Sequence, residues 1–349
     1  MSQPRAATVD ELAASDTLID ARSPAEFALD HLPGAINCPV LGDAERVVVG
    51  TLYKQRGAFD ARKLGGALVA RNIALHLESD ALRERPKTWR PLVYCWRGGM
   101  RSGSFVAWLR LVGWDAQQLQ GGYKAWRTHV IERIAALSPA LPLRVLSGPT
   151  GSAKTRVLQA LARLGEQVLD LEALAAHRGS VLGGLPDVEQ PSQKAFETQL
   201  ATALAGFDNG RTIWVEAESR KIGRLTVPEP LLQRLRSSPV LGIEATPEAR
   251  LAYLLRDYAW LGDDPERLHD KLGLLQSLQP AERLAQWQAW ALARDLSPLF
   301  DQLMRLHYDP LYARSQGQNL AQLAAAPSLV TDDLSEAGIE ALAARILNT

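Results

Sequence analysis

Cys95 is the residue whose neighbours in the sequence most directly favour nucleophilic chemistry. It ends the apolar run RPLVY, which predicts a strand, and it precedes the loop WRGGM and a helix expected to begin near Ser102. The backbone N–H groups of such a loop and of a helix start create a positive potential, which favours a thiolate and can hold an anion. Cys95 is therefore the candidate catalytic residue. The candidate anion-binding residues beside it are Arg97, Gly98, Gly99 and Arg101.

A second candidate site is the stretch GPTGSAKT, which begins at Gly148. It has the pattern of a phosphate-binding loop, and it stands between a predicted strand, LRVLSG, and a predicted helix. Ala153 occupies the position of the consensus glycine, and the strand TIWVE ends in glutamate where an Mg²⁺-positioning aspartate is usual. These departures favour binding of a diphosphate over fast ATP hydrolysis, with Thr155 as the candidate ligand if Mg²⁺ is used. The candidate diphosphate-binding residues are Gly148, Thr150, Gly151, Ser152, Ala153, Lys154 and Thr155.

Other polar residues are weaker candidates, which could support the catalytic and ligand-binding residues from behind. They lie in a glycine-rich loop or directly after a predicted strand, where loops often carry function, and they are His177, Arg178, Glu218, Ser219 and Arg220. Asp309 and Tyr312 in HYDPLY are interpreted as a turn. The spacing of histidine and cysteine suggests no zinc site, so no metal ligand is assigned.

The elements that must position these residues are those of two α/β domains. With 349 residues, 46% of them hydrophobic, the chain is long enough for two cores, and its zero net charge excludes a uniformly basic coat for nucleic acid. Alternating short apolar runs and helical stretches predict a parallel-sheet domain over residues 1–137, a linker over 138–142, and a phosphate-loop domain with a helical C-terminal region over 143–349. The chain has no long apolar segment and no signal-peptide pattern, so we expect a cytoplasmic protein without a membrane contact.

Two segments of the first half resemble rhodanese-type sulfurtransferases. IDARSPAEFALDHLPGAINCPV is similar to their N-terminal signature and LQGGYKAW to their C-terminal one, with the Cys95 loop at the active-site position between them. This resemblance implies a rhodanese-like fold. The C-x5-R spacing from Cys95 to Arg101, followed by a serine, also resembles the loop of cysteine-dependent phosphatases, which leaves a phosphatase joined to a nucleotide hydrolase as an alternative.

Further stretches resemble one family across nearly the whole chain, the tRNA 2-selenouridine synthases. They are a basic insertion, VLGDAERVVVGTLYKQRGAFDARKLGGALVARNI, and the runs CWRGGMRS, HRGSVLGG, QPSQKAFE, VEAESRKIG and HYDPLY. The resemblance implies that sulfur at C2 of the wobble 2-thiouridine of tRNA is replaced by selenium from selenophosphate, after S-geranylation with geranyl diphosphate. It implies tRNA, through its anticodon stem-loop, as the partner, and no permanently bound cofactor. A non-catalytic binder of tRNA or of another partner is the remaining alternative.

Two basic segments, 46–71 and 83–101, flank the Cys95 loop in sequence, and each contains a single acidic residue. Given the family resemblance, we interpret them as contacts to the tRNA backbone, whose strength should fall with salt. Trp89, Trp96 and Tyr53 are candidates for stacking on an exposed base. The candidate tRNA-binding residues are Arg46, Lys54, Arg56, Arg62, Lys63, Arg85, Lys87 and Arg90.

Overall fold

A computed structural model describes residues 6–180, 182–186, 188–320 and 322–349, without the side chains of 315–319. It divides into two compact units. The first comprises Met1–Arg133 and Ser192–Ala201, and the second comprises Ile134–Pro191 and Thr202–Thr349. Both units contain a parallel sheet covered by helices, so the predicted α/β fold class is confirmed.

The first unit is built on a four-stranded parallel sheet. The strands lie in the order β2-β1-β3-β4, and their bounds are β1 Thr17–Asp20, β2 Ile36–Asn37, β3 Pro91–Tyr94 and β4 Gln117–Gln118. The helices are α1 Pro24–Leu29, α2 Asp43–Arg56, α3 Ala58–Glu78, α4 Met100–Val112 and α5 Gly122–Leu137. All four residues of β3 are buried, as expected for a central strand with helices on both faces.

The basic insertion folds as the helical hairpin α2–α3. Gly57 joins the two helices at a φ of 94°, in the left-handed region that glycine adopts without steric cost. The hairpin contributes few residues to the core, since α2 has no buried residue and α3 buries only Ala61, Gly65 and Ile73. Most of its basic side chains are therefore left in solvent.

The sequence predicts a linker over residues 138–142, whereas the second unit begins at Ile134, within helix α5. Helix α5 ends at Leu137, Ser138–Ala140 form a short 3-10 turn, and β5 follows directly. Five parallel strands lie in the order β11-β10-β5-β7-β6. Their bounds are β5 Leu143–Ser147, β6 Gln167–Leu169, β7 Ile213–Glu216, β10 Val240–Ala245 and β11 Ser328–Thr331, and a separate hairpin pairs β8 Lys221–Ile222 with β9 Leu225–Thr226. The edge strand β11 lies within the region predicted to be mostly helical. Its residues alternate between exposed and partly buried, unlike the continuous apolar runs from which the other strands are predicted.

Helices cover this second sheet and form the C-terminal part of the chain. Their bounds are α6 Lys154–Arg163, α7 Leu171–Ala175, α9 Glu229–Ser237, α10 Pro247–Asp257, α11 Pro265–Gly273, α12 Ala281–Leu292, α13 Leu296–Leu303, α14 Asp309–Asn319 and α15 Glu336–Leu347, whereas most of α8 Gln193–Ala205 belongs to the first unit. One core joins the sheet to these helices, with Trp287 and Leu299 fully buried in it. Across the described ranges, no helix combines the length and the hydrophobicity that crossing a membrane requires.

Candidate functional sites in the two units

The Cys95 loop lies at the carboxyl end of β3, where ligands bind in open parallel sheets. The thiol is 3% exposed and receives two hydrogen bonds, one from the Gly99 N–H at 3.3 Å and one from the Ser102 hydroxyl at 3.1 Å. Gly98 has a φ of 64°, and a Cβ there would lie 2.6 Å from the carbonyl oxygen of Leu119. Only glycine fits this position, so the backbone can turn tightly around the sulfur.

Ser102 is a site residue that the sequence candidates omit, although it follows Arg101 directly in the C-x5-R spacing. It is fully buried. The side-chain amide of Gln118 donates to its oxygen at 2.8 Å and to the carbonyl oxygen of Gly99 at 3.0 Å. Ser102 accepts from Gln118, and its own proton can point at Sγ at 3.1 Å or at the carbonyl oxygen of Gly99 at 3.3 Å. The sulfur therefore faces two donors, which stabilise negative charge on it.

Arg101 binds a carboxylate in this structure instead of turning into the loop. Its guanidinium donates to Glu26 Oε2 at 2.7 Å, and Arg46 contacts the same oxygen at 3.1 Å. Burial alone would raise the pKa of Glu26, but the hydrogen bond and charge of Arg101 outweigh it and hold that pKa below its usual value. Arg97 is exposed at the loop rim. The loop N–H groups and Arg97 are thus the groups directly open to an incoming anion.

Cys38, the other cysteine, has different surroundings. It is 3% exposed in the core of the first unit, and burial together with the charge of Asp20 raises its pKa to about 11. A thiol with that pKa is almost entirely protonated near neutral pH. Cys38 is therefore an unreactive core residue.

All eight candidate tRNA-binding residues are exposed on the first unit. Arg46 pairs with Glu26, and Arg90 lies 3.8 Å from Asp16. Of the three stacking candidates, Tyr53 is 59% exposed and Trp96 is 37% exposed.

The stacking role predicted for Trp89 is wrong. Trp89 is 3% exposed, it packs edge-on against Trp114, and its indole N–H donates to Thr17 Oγ1.

The segment Ser192–Ala201, from the motif QPSQKAFE, belongs to the first unit although the sequence assigns it to the second domain. Glu197 forms an ion pair with Arg127, and Thr198 donates to Asp30 at 3.1 Å. Lys194 lies 5.4 Å from the centre of the Trp96 ring. The first turns of α8 thus add a cation beside the residue that follows Cys95.

The phosphate loop of the second unit connects β5 to α6 as predicted. Gly151 has a φ of 84° and Ala153 a φ of 56°. The left-handed conformation costs a non-glycine residue about 1 kcal/mol, so the replacement of glycine by Ala153 strains the loop. Lys154 donates to the carbonyl oxygen of Gly148 at 3.0 Å. Burial alone would lower the pKa of Lys154, but nearby negative charges, Glu216 first, raise it and keep the side chain a cation.

The motif HYDPLY, which the sequence suggests is a turn, holds this loop in place. The Tyr312 hydroxyl accepts a hydrogen bond from the Gly148 N–H and lies 2.7 Å from Ser147 Oγ. Asp309 forms a two-armed ion pair with Arg250, and Arg250 also donates to the carbonyl oxygen of Thr150 at 2.8 Å. These partners lie far apart in sequence, so no local pattern reveals them.

Three glutamates meet beside the loop. One ligand atom from each of Glu172, Glu216 and Glu218 lies within 4.8 Å of the others. Burial first, and then the charges of neighbouring carboxylates, raise the pKa of Glu172 to about 9 and that of Glu218 to about 8. Glu218 is a sequence candidate that the structure brings to the loop. Glu172 was missed, since it stands on α7 without a recognisable motif.

Of the other supporting candidates, Ser219 and Arg220 point elsewhere, whereas His177 and Arg178 line a cavity together with Thr155 and Glu172. The Ser219 hydroxyl donates to the carbonyl oxygen of Lys221, and Arg220 forms an exposed ion pair with Glu229. Arg178 pairs with Asp257. His177 has a buried Nδ1 without a hydrogen-bond partner among the described residues, and burial lowers its pKa. Val181 of the same motif lies outside the described residues.

An apolar cavity of the second unit starts at Thr150 of the phosphate loop. Its walls are almost entirely hydrophobic and aromatic, and the residues that line it include Leu254, Tyr258, Leu261, Phe300 and Met304. An apolar space next to an anion-binding loop is suited to a ligand with a hydrophobic part attached to a phosphate.

Known protein families match both units. A rhodanese-like domain model matches residues 6–129, and a model of the tRNA 2-selenouridine synthase AAA domain matches residues 141–279. The tRNA 2-selenouridine synthase of Shewanella denitrificans is 36% identical over 331 residues, which are 84% of this chain and 87% of that protein. The protein of the same name from Cupriavidus necator is 35% identical over 339 residues, 88% of this chain and 90% of that one. The one from Nitrosomonas europaea is 40% identical over 260 residues, 72% of this chain, but the alignment spans only 66% of that relative's length.

Proposed function

This chain belongs to the tRNA 2-selenouridine synthase family, and from that membership we propose that it exchanges the C2 sulfur of wobble 2-thiouridine in tRNA for selenium. The donors in this proposal are geranyl diphosphate and selenophosphate. Direct exchange is unfavourable because sulfide leaves poorly. Alkylation turns the thiocarbonyl sulfur into a thioether that departs as a thiolate, so two steps with two donors are chemically reasonable.

The first step belongs to the phosphate loop of the second unit. The C2 sulfur attacks C1 of the geranyl group, the C–O bond breaks, and diphosphate leaves. The loop N–H groups and Lys154 would bind the diphosphate and stabilise the charge that develops on it. The apolar cavity beside Thr150 supports this assignment, because its leucine, methionine and aromatic side chains offer an apolar contact to the part of the chain next to the diphosphate. Its volume of about 40 Å³ holds only that part of the ten-carbon chain.

The second step belongs to Cys95. Its thiolate attacks phosphorus of selenophosphate, the P–Se bond breaks, and selenium leaves as hydrogen selenide. Hydrogen selenide then displaces the geranylthiolate at C2, and water hydrolyses the phosphocysteine to phosphate. A selenenylsulfide on Cys95 would instead need an oxidant, which neither donor supplies, so the balance of electrons favours attack at phosphorus. The role of Arg97 is to hold phosphate oxygens, and Arg101 can join it only by leaving Glu26.

The observation that carries this division is the pair of donors on the Cys95 sulfur, the Gly99 N–H and the Ser102 hydroxyl. A cysteine with no reaction to perform needs neither. The tRNA anticodon stem-loop would approach the exposed basic side chains of the first unit, with Trp96 and Tyr53 available for stacking.

The proposal is tested by mass spectrometry of nucleosides from thiolated tRNA incubated with both donors. Cys95→Ser should abolish selenium incorporation and leave S-geranylation within a few-fold of wild type, whereas Lys154→Ala should weaken geranyl diphosphate binding first. Cys38→Ala is the matched control, since its thiol is buried and protonated. An unchanged 2-thiouridine peak with wild-type protein would refute the reaction, and loss of both activities in Cys95→Ser would refute the division of labour.

The C-x5-R-S spacing favours one second candidate, a cysteine phosphatase, although Arg101 is paired with Glu26 and would have to turn into the loop. Release of phosphate from an aryl phosphate by the wild-type protein, but not by Cys95→Ser, would support it.

A further inference from the structure

The carboxylates of Glu172, Glu216 and Glu218 converge on one point of the second unit. Glu216 ends β7, Glu218 follows two residues later, and Glu172 stands in the first turn of α7. One oxygen from each lies within 4.8 Å of the other two. Around an octahedral cation with bonds of about 2.1 Å, oxygen ligands lie about 3 to 4.2 Å apart. The three side chains therefore need to move only slightly to share one cation.

An unpartnered atom points independently to a missing ligand. Glu216 is 6% exposed, and its Oε1 is buried without a hydrogen-bond partner among the described residues. A buried carboxylate oxygen that lacks a donor loses its hydration, and burial raises the pKa of Glu216 although the Lys154 charge and the Thr155 hydroxyl act in the opposite direction. A bound cation would compensate for that loss, whereas a fourth carboxylate or an apolar neighbour would not.

The backbone leaves room at the same point. Gly179 has a φ of 66°, and a Cβ on it would lie 3.1 Å from Glu172 Oε1 and 3.5 Å from both carboxylate oxygens of Glu218. Any larger residue would crowd the carboxylates. Glu172 is also held in orientation, because the Thr155 hydroxyl donates to its Oε2 at 3.1 Å. A hydrogen bond of this kind fixes a ligating carboxylate in metal sites.

The charges around the cluster match a divalent cation. The charges acting on the Lys154 ammonium are those of the three glutamates, together with Tyr312, and Lys154 donates to the carbonyl oxygen of Gly148. When a cation displaces the protons of the cluster, three ionised carboxylates with one ammonium carry a net charge of −2. Carboxylate oxygens are the ligands that hard divalent cations such as Mg²⁺ and Mn²⁺ prefer.

We propose that Glu172, Glu216 and Glu218 bind one hard divalent cation before any diphosphate arrives. This goes beyond the proposed function, which does not require a metal. It also differs from the common arrangement in which Mg²⁺ is held by one or two carboxylates and by substrate phosphates. Here the protein alone supplies the three charged ligands, and the loop Thr155 acts on Glu172 instead of on the cation.

The experiment is a titration of the full chain with Mn²⁺, followed by electron paramagnetic resonance, without tRNA, selenophosphate or any diphosphate. We expect one bound Mn²⁺ per chain, displaced by excess Mg²⁺. Glu172→Gln, Glu216→Gln and Glu218→Gln should each weaken Mn²⁺ binding at least tenfold, because each removes one charged ligand. Glu282→Gln is the control, because Glu282 is exposed in the first turn of α12. This variant should bind Mn²⁺ like wild type.

Absence of bound Mn²⁺ at millimolar concentration in the folded wild-type chain would overturn the proposal. Equal Mn²⁺ affinity in wild type and in the Glu172 and Glu216 variants would overturn it as well. Circular dichroism checks that each variant is folded, and Glu218→Gln carries the comparison if another variant is not. The measurement uses no substrate. A negative result would therefore refute the cation site without refuting the proposed reaction, and failure of the proposed reaction would not affect the result of this measurement.

Discussion

Replacing Ser102 by alanine removes one of the two donors that face the Cys95 sulfur, the hydroxyl at 3.1 Å. A hydrogen bond to a charged group contributes about 1.5 to 3 kcal/mol. Its loss should make formation of negative charge on the sulfur less favourable by about 12- to 140-fold, at about 1.4 kcal/mol per tenfold change. A less stabilised sulfur anion is also more nucleophilic, which recovers about half of this effect on a logarithmic scale.

The assay is the rate of thiol–disulfide exchange with an aromatic disulfide, measured across pH in a Cys38→Ala background so that Cys95 is the only thiol. At the low-pH end of the profile, Ser102→Ala should react about four- to twelvefold more slowly than its parent. At the high-pH end, the variant should react faster than its parent. Ser104→Ala, on the same helix, is the control. Ser102→Ala and Ser104→Ala with the same rate at every pH would refute the role of Ser102.

Two other outcomes follow from the second unit. Glu172 and Glu218 have raised pKa values of about 9 and about 8 in the folded chain. As the pH rises above 4.5, these two carboxyls therefore lose their protons in the unfolded chain before they do so in the folded chain. In EDTA the free energy of unfolding, measured with urea, should fall as pH rises toward 8, by at most about 1.4 kcal/mol per pH unit for each carboxyl, and less in Glu218→Gln. Ala153→Gly should change the free energy of unfolding by less than about 1 kcal/mol, because relief of the left-handed strain offsets the loss of a buried methyl group and the entropy gained by the unfolded chain. A loss well above about 1 kcal/mol in Ala153→Gly would contradict the strain.

The parts of the two sites that the sequence could predict are those built from one contiguous stretch. A strand, a glycine loop and a helix start at Cys95, and again at Gly148, are encoded by neighbouring residues, because turn geometry and helix polarity are local properties. The fold class follows for the same reason, since apolar runs and helical periods are read within short windows.

Contacts between distant residues were beyond that reasoning. Arg101 and Glu26 are 75 residues apart in sequence. Their ion pair holds the Arg101 guanidinium away from the Cys95 loop, where the C-x5-R spacing predicts it as an anion ligand. Trp89 looks available for stacking until its indole N–H is found on Thr17 Oγ1. In each case a tertiary partner decides what a side chain can do, and one sequence does not specify its partners.

The same loop architecture serves two different electrostatic situations. At Cys95 the strand end, the loop N–H groups and the exposed Arg97 give an anion a favourable approach, because the nearby Glu26 is already paired with Arg101 and Arg46. At the phosphate loop, three carboxylates lie beside Lys154. Two like charges about 5 Å apart repel by about 3 kcal/mol at an effective dielectric constant of 20, so a diphosphate next to ionised Glu172, Glu216 and Glu218 is opposed unless those charges are cancelled. Protons cancel them where the pKa values are high, and a divalent cation cancels them while adding attraction for phosphate oxygens. A cation already in place would therefore make the second loop as favourable for an anion as the first.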